Sequence, residues 1–244
     1  MVPIARAYEA MGLKVRFYST ESIFDLVSEF RPSVIIALAQ NVNRTFVKVC
    51  QENPWIKIIL LGPTENEFTD ALTKCSIKVG RPNLRPCVDI IQFNGACGKP
   101  HLKCRYLICE NNTPEIRKIY HDNKLDGAIS IRLYGRGWGG YGSCGIVADS
   151  SLRDLLASCD IFVTTRPDLV LASIICMSKV VYEHPLYGLK NIYKSVENAE
   201  QSNFYSEDIT TIINNHTSFH VANELINSVD FDLSHKIPRF EFNQ

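Results

Sequence analysis

The sequence predicts an α/β protein made of two Rossmann-like parallel-sheet domains, the first one trimmed, with helices at the C-terminal end. Three observations carry that expectation. Apolar, β-branched runs of strand length stand at 33–39, 56–61, 106–109, 129–133, 161–164 and 180–182,. Helical patterns separate most of them, the alternation expected of parallel strands joined by crossover helices. Several runs end in polar or glycine-bearing turns at 62–67, 135–142, 164–168 and 183–184, and open parallel sheets bind ligands outside the carboxyl ends of their strands.

Taken in order, residues 4–11 read as a short helix ended by Gly12, and 14–18 as a strand. Thr20 is placed to cap a helix over 21–30, which Pro32 stops,. The buried-strand run 33–39 leads into Gln40, Asn41 and Asn43, then a helix pattern over 44–51. Pro54 introduces the strand at 56–61, and Gly62 opens a polar loop through Glu67. A further helix or connection with a proline-rich exit covers 70–85, and 88–93 reads as a strand. The two glycines and the proline of 94–100 mark a linker. The expected domains are therefore 1–103, 104–190, and a helical remainder over 191–244.

The second expected domain starts with the strand at 106–109. Asn112 or Thr113 then suits an N-cap, with Pro114 in the first helical turn and Glu115 matching the helix dipole,. Such a helix start can also hold a phosphate on its free N–H groups. Beyond 182, 186–193 reads as a loop and short helix, and 206–214 and 217–226 as amphipathic helices.

At 244 residues and 45% apolar content, the chain has enough material for real cores,. No apolar run approaches the roughly 18 residues of a membrane span, and the N-terminal residues lack the layout of a signal peptide. Nine cysteines without a C-x₂-C pair fit reduced thiols in a cytoplasm, host cytoplasm if the chain is viral, and assign no metal site,. The net charge of zero conceals an uneven distribution. Lys74, Lys78, Arg81, Arg85, Lys99, Lys103 and Arg105 face a single acid, Asp89, over residues 74–108. A basic stretch of that kind is the footprint expected for a polyanionic partner.

The richest stretch is 129–185. Arg136, Arg166, Glu183 and His184 fall on one expected rim, and arginine and glycine together suit an anionic ligand,. Tyr134-Gly-Arg-Gly-Trp138, then Gly145-Ile-Val-Ala-Asp149, then Leu152-Arg-Asp-Leu-Leu-Ala-Ser-Cys-Asp-Ile-Phe-Val163 resembles the donor half of GT-B nucleotide-sugar glycosyltransferases. The similarity is greatest to the spore-maturation type and to phage- and virus-encoded, DNA-modifying members, and it spans about 20–62 and 104–190.

That resemblance implies a metal-independent transferase with no cofactor beyond its co-substrate, a nucleoside-diphosphate sugar, with a UDP-sugar first among them. It implies Arg136 and Arg166 at the diphosphate, Glu183 at the ribose, Trp138 or Tyr182 at the base, and Gly137, His184, Asn112 and Thr113 as further donor-binding residues. It also implies an acceptor-side first domain, where Glu65 is the first candidate for catalytic base and Asn41 a positioning residue. The implied acceptor is a hydroxymethylated base in viral double-stranded DNA, gripped by the basic stretch. The rivals are a glycan or protein hydroxyl as acceptor, an inactive GT-B-like binding module, and an epimerase of the GT-B type.

Overall fold

The computed structural model describes residues 2–18, 23–63, 66–75, 77–93, 104–109, 118, 121–122, 129–132, 143–146 and 149–239. The chain divides into two compact units, Met1–Arg85 with Ser218–Pro238, and Pro86–Thr217 with the last few residues. Each is a parallel-sheet α/β unit, as the sequence predicts.

The first unit holds a three-stranded sheet in the order β1 (Val34–Leu38), β2 (Lys57–Leu61), β3 (Val79–Gly80), every pair parallel. Helices Arg44–Glu52 and Glu67–Thr73 make the two crossovers. Asn43 starts the first by accepting the Phe46 N–H at 2.9 Å. Asn66 starts the second in a reciprocal capping box with Thr69. Both caps satisfy N–H groups that a helix start leaves without partners. Ile35, Ala37, Ile58 and Leu60 alternate onto one face and join Phe46, Val49 and Leu72 in a buried core,. The helix Ser218–Asn227 returns to this unit, where the buried Tyr8 hydroxyl of helix Val2–Ala10 donates to Ala222 O at 2.7 Å. At β3 the backbone runs so close to Ser228 that a Cβ on Gly80 would lie 2.2 Å from the Ser228 hydroxyl.

Three expectations fail locally: the end of 186–193, read as a loop and short helix, is the strand Ile192–Tyr193, and the other two are strands that do not form. Residues 14–18 form no strand, because nothing pairs with them among the described residues. At 88–93 only Val88 pairs, in a single bridge with Thr217, and Ile90–Phe93 is one helical turn. Asp89 O accepts the N–H groups of both Gln92 and Phe93 there. A short apolar run carries no period that separates a strand from a buried helical turn.

The second unit holds six parallel strands: β4 (Cys104–Cys109), β5 (Ile129–Arg132), β6 (Ser143–Ile146), β7 (Cys159–Val163), β8 (Lys179–Val181) and β9 (Ile192–Tyr193). Their order is β6-β5-β4-β7-β8-β9. Counted from its own first strand, the sheet runs 3-2-1-4-5-6, the doubly wound order. Tyr106, Ile108, Ile161, Val163 and Val181 share one face with Val196 and Ala199 of helix Val196–Gln201. Leu107, Phe162 and Val180 alternate to the opposite face and are fully buried, so this sheet is covered on both sides, as parallel sheets are. Helix Pro167–Ile175 is apolar around its whole circumference, and every residue from Leu169 to Ile175 is buried,.

The edge strand β9 is too short to stand on its own pairing, and a buried polar knot holds it. Asn191 gives both its backbone and side-chain N–H to Asp208 Oδ2, at 2.7 and 2.8 Å. The same side chain exchanges hydrogen bonds with the backbone of Tyr205 at 2.7 and 2.9 Å. Asn191→Ala would leave a buried carboxylate short of donors, and is expected to lower stability in urea by about 2–4 kcal/mol. The exposed Asn198→Ala should stay within about 0.5 kcal/mol of the parent.

Candidate functional site

The doubly wound order reverses direction between β4 and β7. Ligands of such sheets sit at that reversal, outside the carboxyl ends of the strands. The described part of this edge consists of the turn after β7 and the residues after the adjacent β8.

After β7 the buried Thr164 extends the ladder, its N–H reaching Val181 O at 3.3 Å. Its hydroxyl accepts the Arg166 N–H at 3.1 Å and turns the chain into helix Pro167–Ile175. Arg166 is the N-cap but caps nothing with its side chain. The guanidinium instead grips Asp168 through two bonds, Nη2 to Oδ2 at 2.7 Å and Nε to Oδ1 at 3.3 Å. The Asp168 carboxylate is about half exposed and Arg166 about a quarter. A carboxylate thus occupies the fork that an anionic ligand would take, beside a helix N-terminus that favours negative charge.

One strand over, the Tyr182 N–H donates to Tyr193 O at 2.9 Å and continues the ladder past β8. The Tyr182 ring meets the His184 ring edge to face, with centroids 5.8 Å apart. His184 Nε2 stands 4.0 Å from Glu183 Oε2, and both side chains are mostly in solvent. The Tyr182 phenol is pushed above its usual pKa, first by burial, then by the negative charges of Asp168 and Glu183. Asp168 and Glu183 therefore share one field, and Arg166, Asp168, Tyr182, Glu183 and His184 form a cluster at this edge. Asp168 was not among the expected binding residues. Its spacing of two from Arg166, at a helix start after Pro167, was the available signal.

The remaining expected residues belong to the first unit or fall outside the described residues. Glu65, Asn112, Thr113, Arg136, Gly137, Trp138, Lys99 and Lys103 are outside them. Asn41 ends the one-turn helix Ala39–Asn41 at the carboxyl end of β1 and is exposed. In the basic stretch, Lys78 pairs with Asp230 at 3.0 Å, and Arg85 grips Glu224 with two nitrogens. Lys74 and Arg81 are exposed. The chain also holds an Asp-x-Asp triplet, Asp230-Phe231-Asp232, which the expectation of a metal-free site passed over. Asp230 is the partner of Lys78, and Asp232 accepts the Ser234 N–H at 2.8 Å. Among the described residues no three His, Cys, Asp or Glu side chains group as metal ligands, and no helix is long and apolar enough to cross a membrane.

No protein-family model matches the chain, and no curated protein sequence matches it. Among solved structures it is similar to the UDP-GlcNAc 2-epimerase of Methanocaldococcus jannaschii. The TM-score is 0.46 at 8% identity, over 93% of this chain and 94% of that one.

The shared field is open to direct measurement. In a spectrophotometric titration, the difference between the parent and Tyr182→Phe isolates this phenol, whose midpoint should lie above the ordinary value of 10.0. Asp168→Asn removes one of the charges that raise it, so the midpoint should fall back toward that value. An unmoved midpoint would separate Asp168 from the cluster.

Proposed function

We propose that the chain is a glycosyltransferase of the GT-B type, whose six-stranded unit holds a nucleoside-diphosphate sugar, a UDP-sugar first among them. The observation that carries this reading is the placement of Arg166, on a helix N-terminus at the reversal point of a doubly wound sheet. The ligand edge, the planar fork and the dipole converge there. In this reading the diphosphate displaces Asp168 from the Arg166 guanidinium. Glu183 then receives the ribose hydroxyls, and Tyr182 with His184 forms a wall for the base. Arg136, Gly137, Trp138, Asn112 and Thr113 complete the donor site by their positions in the resemblance.

In the transfer step, the bond from the anomeric carbon to the diphosphate oxygen breaks as the acceptor oxygen bonds to that carbon. Negative charge grows on the departing diphosphate, and the Arg166 guanidinium stabilises it most at that moment. The acceptor hydroxyl must lose its proton. Glu65 is the proposed base and Asn41 its positioning partner, both on the resemblance alone. For the acceptor, the exposed Lys74 supports a polyanion such as modified duplex DNA. Lys78 and Arg85 already hold Asp230 and Glu224, and this favours a less charged glycan or protein hydroxyl.

A thermal-shift panel of nucleoside diphosphates, without added metal, tests the donor site. One base should raise the melting temperature. Arg166→Ala should weaken that ligand at least about tenfold, and Asp168→Asn should tighten it about three- to tenfold by freeing the fork. Release of that diphosphate only when acceptor is present identifies transfer. A new sugar stereoisomer with the nucleotide still attached would replace transfer with epimerisation. No shift with any nucleotide would remove the donor site.

A further inference from the structure

The helices Ile23–Phe30 and Arg44–Glu52 end just before β1 and β2, at the amino edge of the first sheet. Open parallel sheets bind ligands at the other edge. Residues of both helices line a groove of about 710 Å³ here. Val27 and Val49 give it buried apolar surface, and Phe24 and Trp55 give it aromatic surface that is 46% and 59% exposed. Arg31 and Asn53, the residues next after each helix, supply polar groups.

Arg31 is the one charged side chain lining the groove among the described residues. Glu29 and Glu52, near the ends of the same helices, pair with Arg16 at 3.7 Å and Lys48 at 3.8 Å, and no carboxylate among the described residues pairs with Arg31. Its backbone sits at φ +49°, in the left-handed region that glycine usually fills at a helix end,. An arginine there costs backbone energy and places a guanidinium at the groove. Asn53 is oriented by its own side chain, whose Nδ2 donates to Val49 O at 2.8 Å and leaves Oδ1 as an acceptor,. The groove thus joins two exposed rings, one unmatched positive charge and one fixed acceptor.

We propose that this groove binds a small aromatic monocarboxylate. The ligand ring lies against Phe24 and Trp55, its carboxylate takes the Arg31 fork, and an N–H or O–H of the ligand donates to Asn53 Oδ1. The charge selects the class, because a single guanidinium matches one carboxylate and leaves a diphosphate or a nucleic-acid strand short of cations. A sugar would set hydroxyls against Val27 and Val49, where nothing apolar can pair with them. A polypeptide would look for main-chain partners, but the N–H groups of Arg31 and Asn53 already donate to Val27 O and Cys50 O, at 3.2 Å each,. This site is independent of the donor-site reading, which concerns the other unit.

The test is isothermal titration of the full chain with indole-3-propanoate, which carries a ring, a carboxylate and an N–H. Binding is expected, and indole-3-propanamide, which keeps the ring and loses the charge, should bind at least about tenfold more weakly. Arg31→Gly suits the left-handed backbone, so its melting temperature should hold or rise. That variant should nevertheless bind the acid about tenfold more weakly and no longer distinguish it from the amide. Trp55→Leu should weaken acid and amide alike by about tenfold, while the remote Asn198→Ala should leave both unchanged. Equal affinity for acid and amide in the parent overturns the proposal, as does undiminished binding in Arg31→Gly. Preference for glucuronate over indole-3-propanoate also overturns it and makes the groove a sugar site. No binding of indole-3-propanoate removes the site altogether.

Discussion

The parallel pairing of β4 with β7 is the constraint on which the second unit depends. Cys104, Tyr106, Leu107 and Ile108 stand in register with Cys159, Ile161, Phe162 and Val163. The chain builds β5 and β6 outward on one side of this seam, and β8 and β9 on the other. The connections diverge here, and in open parallel sheets the ligand crevice lies outside the carboxyl ends of the strands at such a point,. The site is a consequence of the topology, and the topology follows from where the apolar runs lie.

Electrostatics then decides what the exposed edge can do. A helix N-terminus and a guanidinium would ordinarily make a strong anion site. Asp168 pairs with the guanidinium and stands in the first turn of that helix, so a ligand must exceed what that carboxylate supplies. A diphosphate does so with two charged groups where Asp168 has one. The same logic tempers the basic stretch of the first unit, where Asp230 and Glu224 neutralise two of the cations that its composition advertises. Counting charges along a sequence overstates a patch whenever the opposing charges return from distant positions, here more than 130 residues away in each pair.

Legibility in the sequence followed the same physics. β1, β2, β4, β7 and β8 were readable because buried parallel strands carry apolar runs,. β6, Ser-Cys-Gly-Ile, and β9, Ile-Tyr, were not: the first has a single β-branched residue, and the second is only two residues long. The knot of Asn191 and Asp208 that fixes β9 joins residues 17 apart and has no local signature. Residues 14–18 misled in the opposite direction. Their pattern is that of a strand, but a strand exists only where a neighbour completes the ladder. For the site, strand-end position pointed to Arg166, Glu183 and His184, which stand after β7 and β8, while Arg136 and its glycines lie outside the described residues. The spacing of Asp168 from Arg166 at a helix start was a signal for their pairing, but its two-bond geometry depends on rotamers and is visible only in three dimensions.

The most direct measurement of the central claim is residue-resolved hydrogen exchange with a nucleoside-diphosphate sugar present at saturating concentration. The claim predicts slowed exchange over 164–168 and 182–184, the two segments that meet at the edge of β7 and β8, with the first unit unchanged. Protection confined to the carboxyl ends of β1 and β2, around Ala39–Asn41 and Gly62, would contradict it and move the nucleotide to the other sheet.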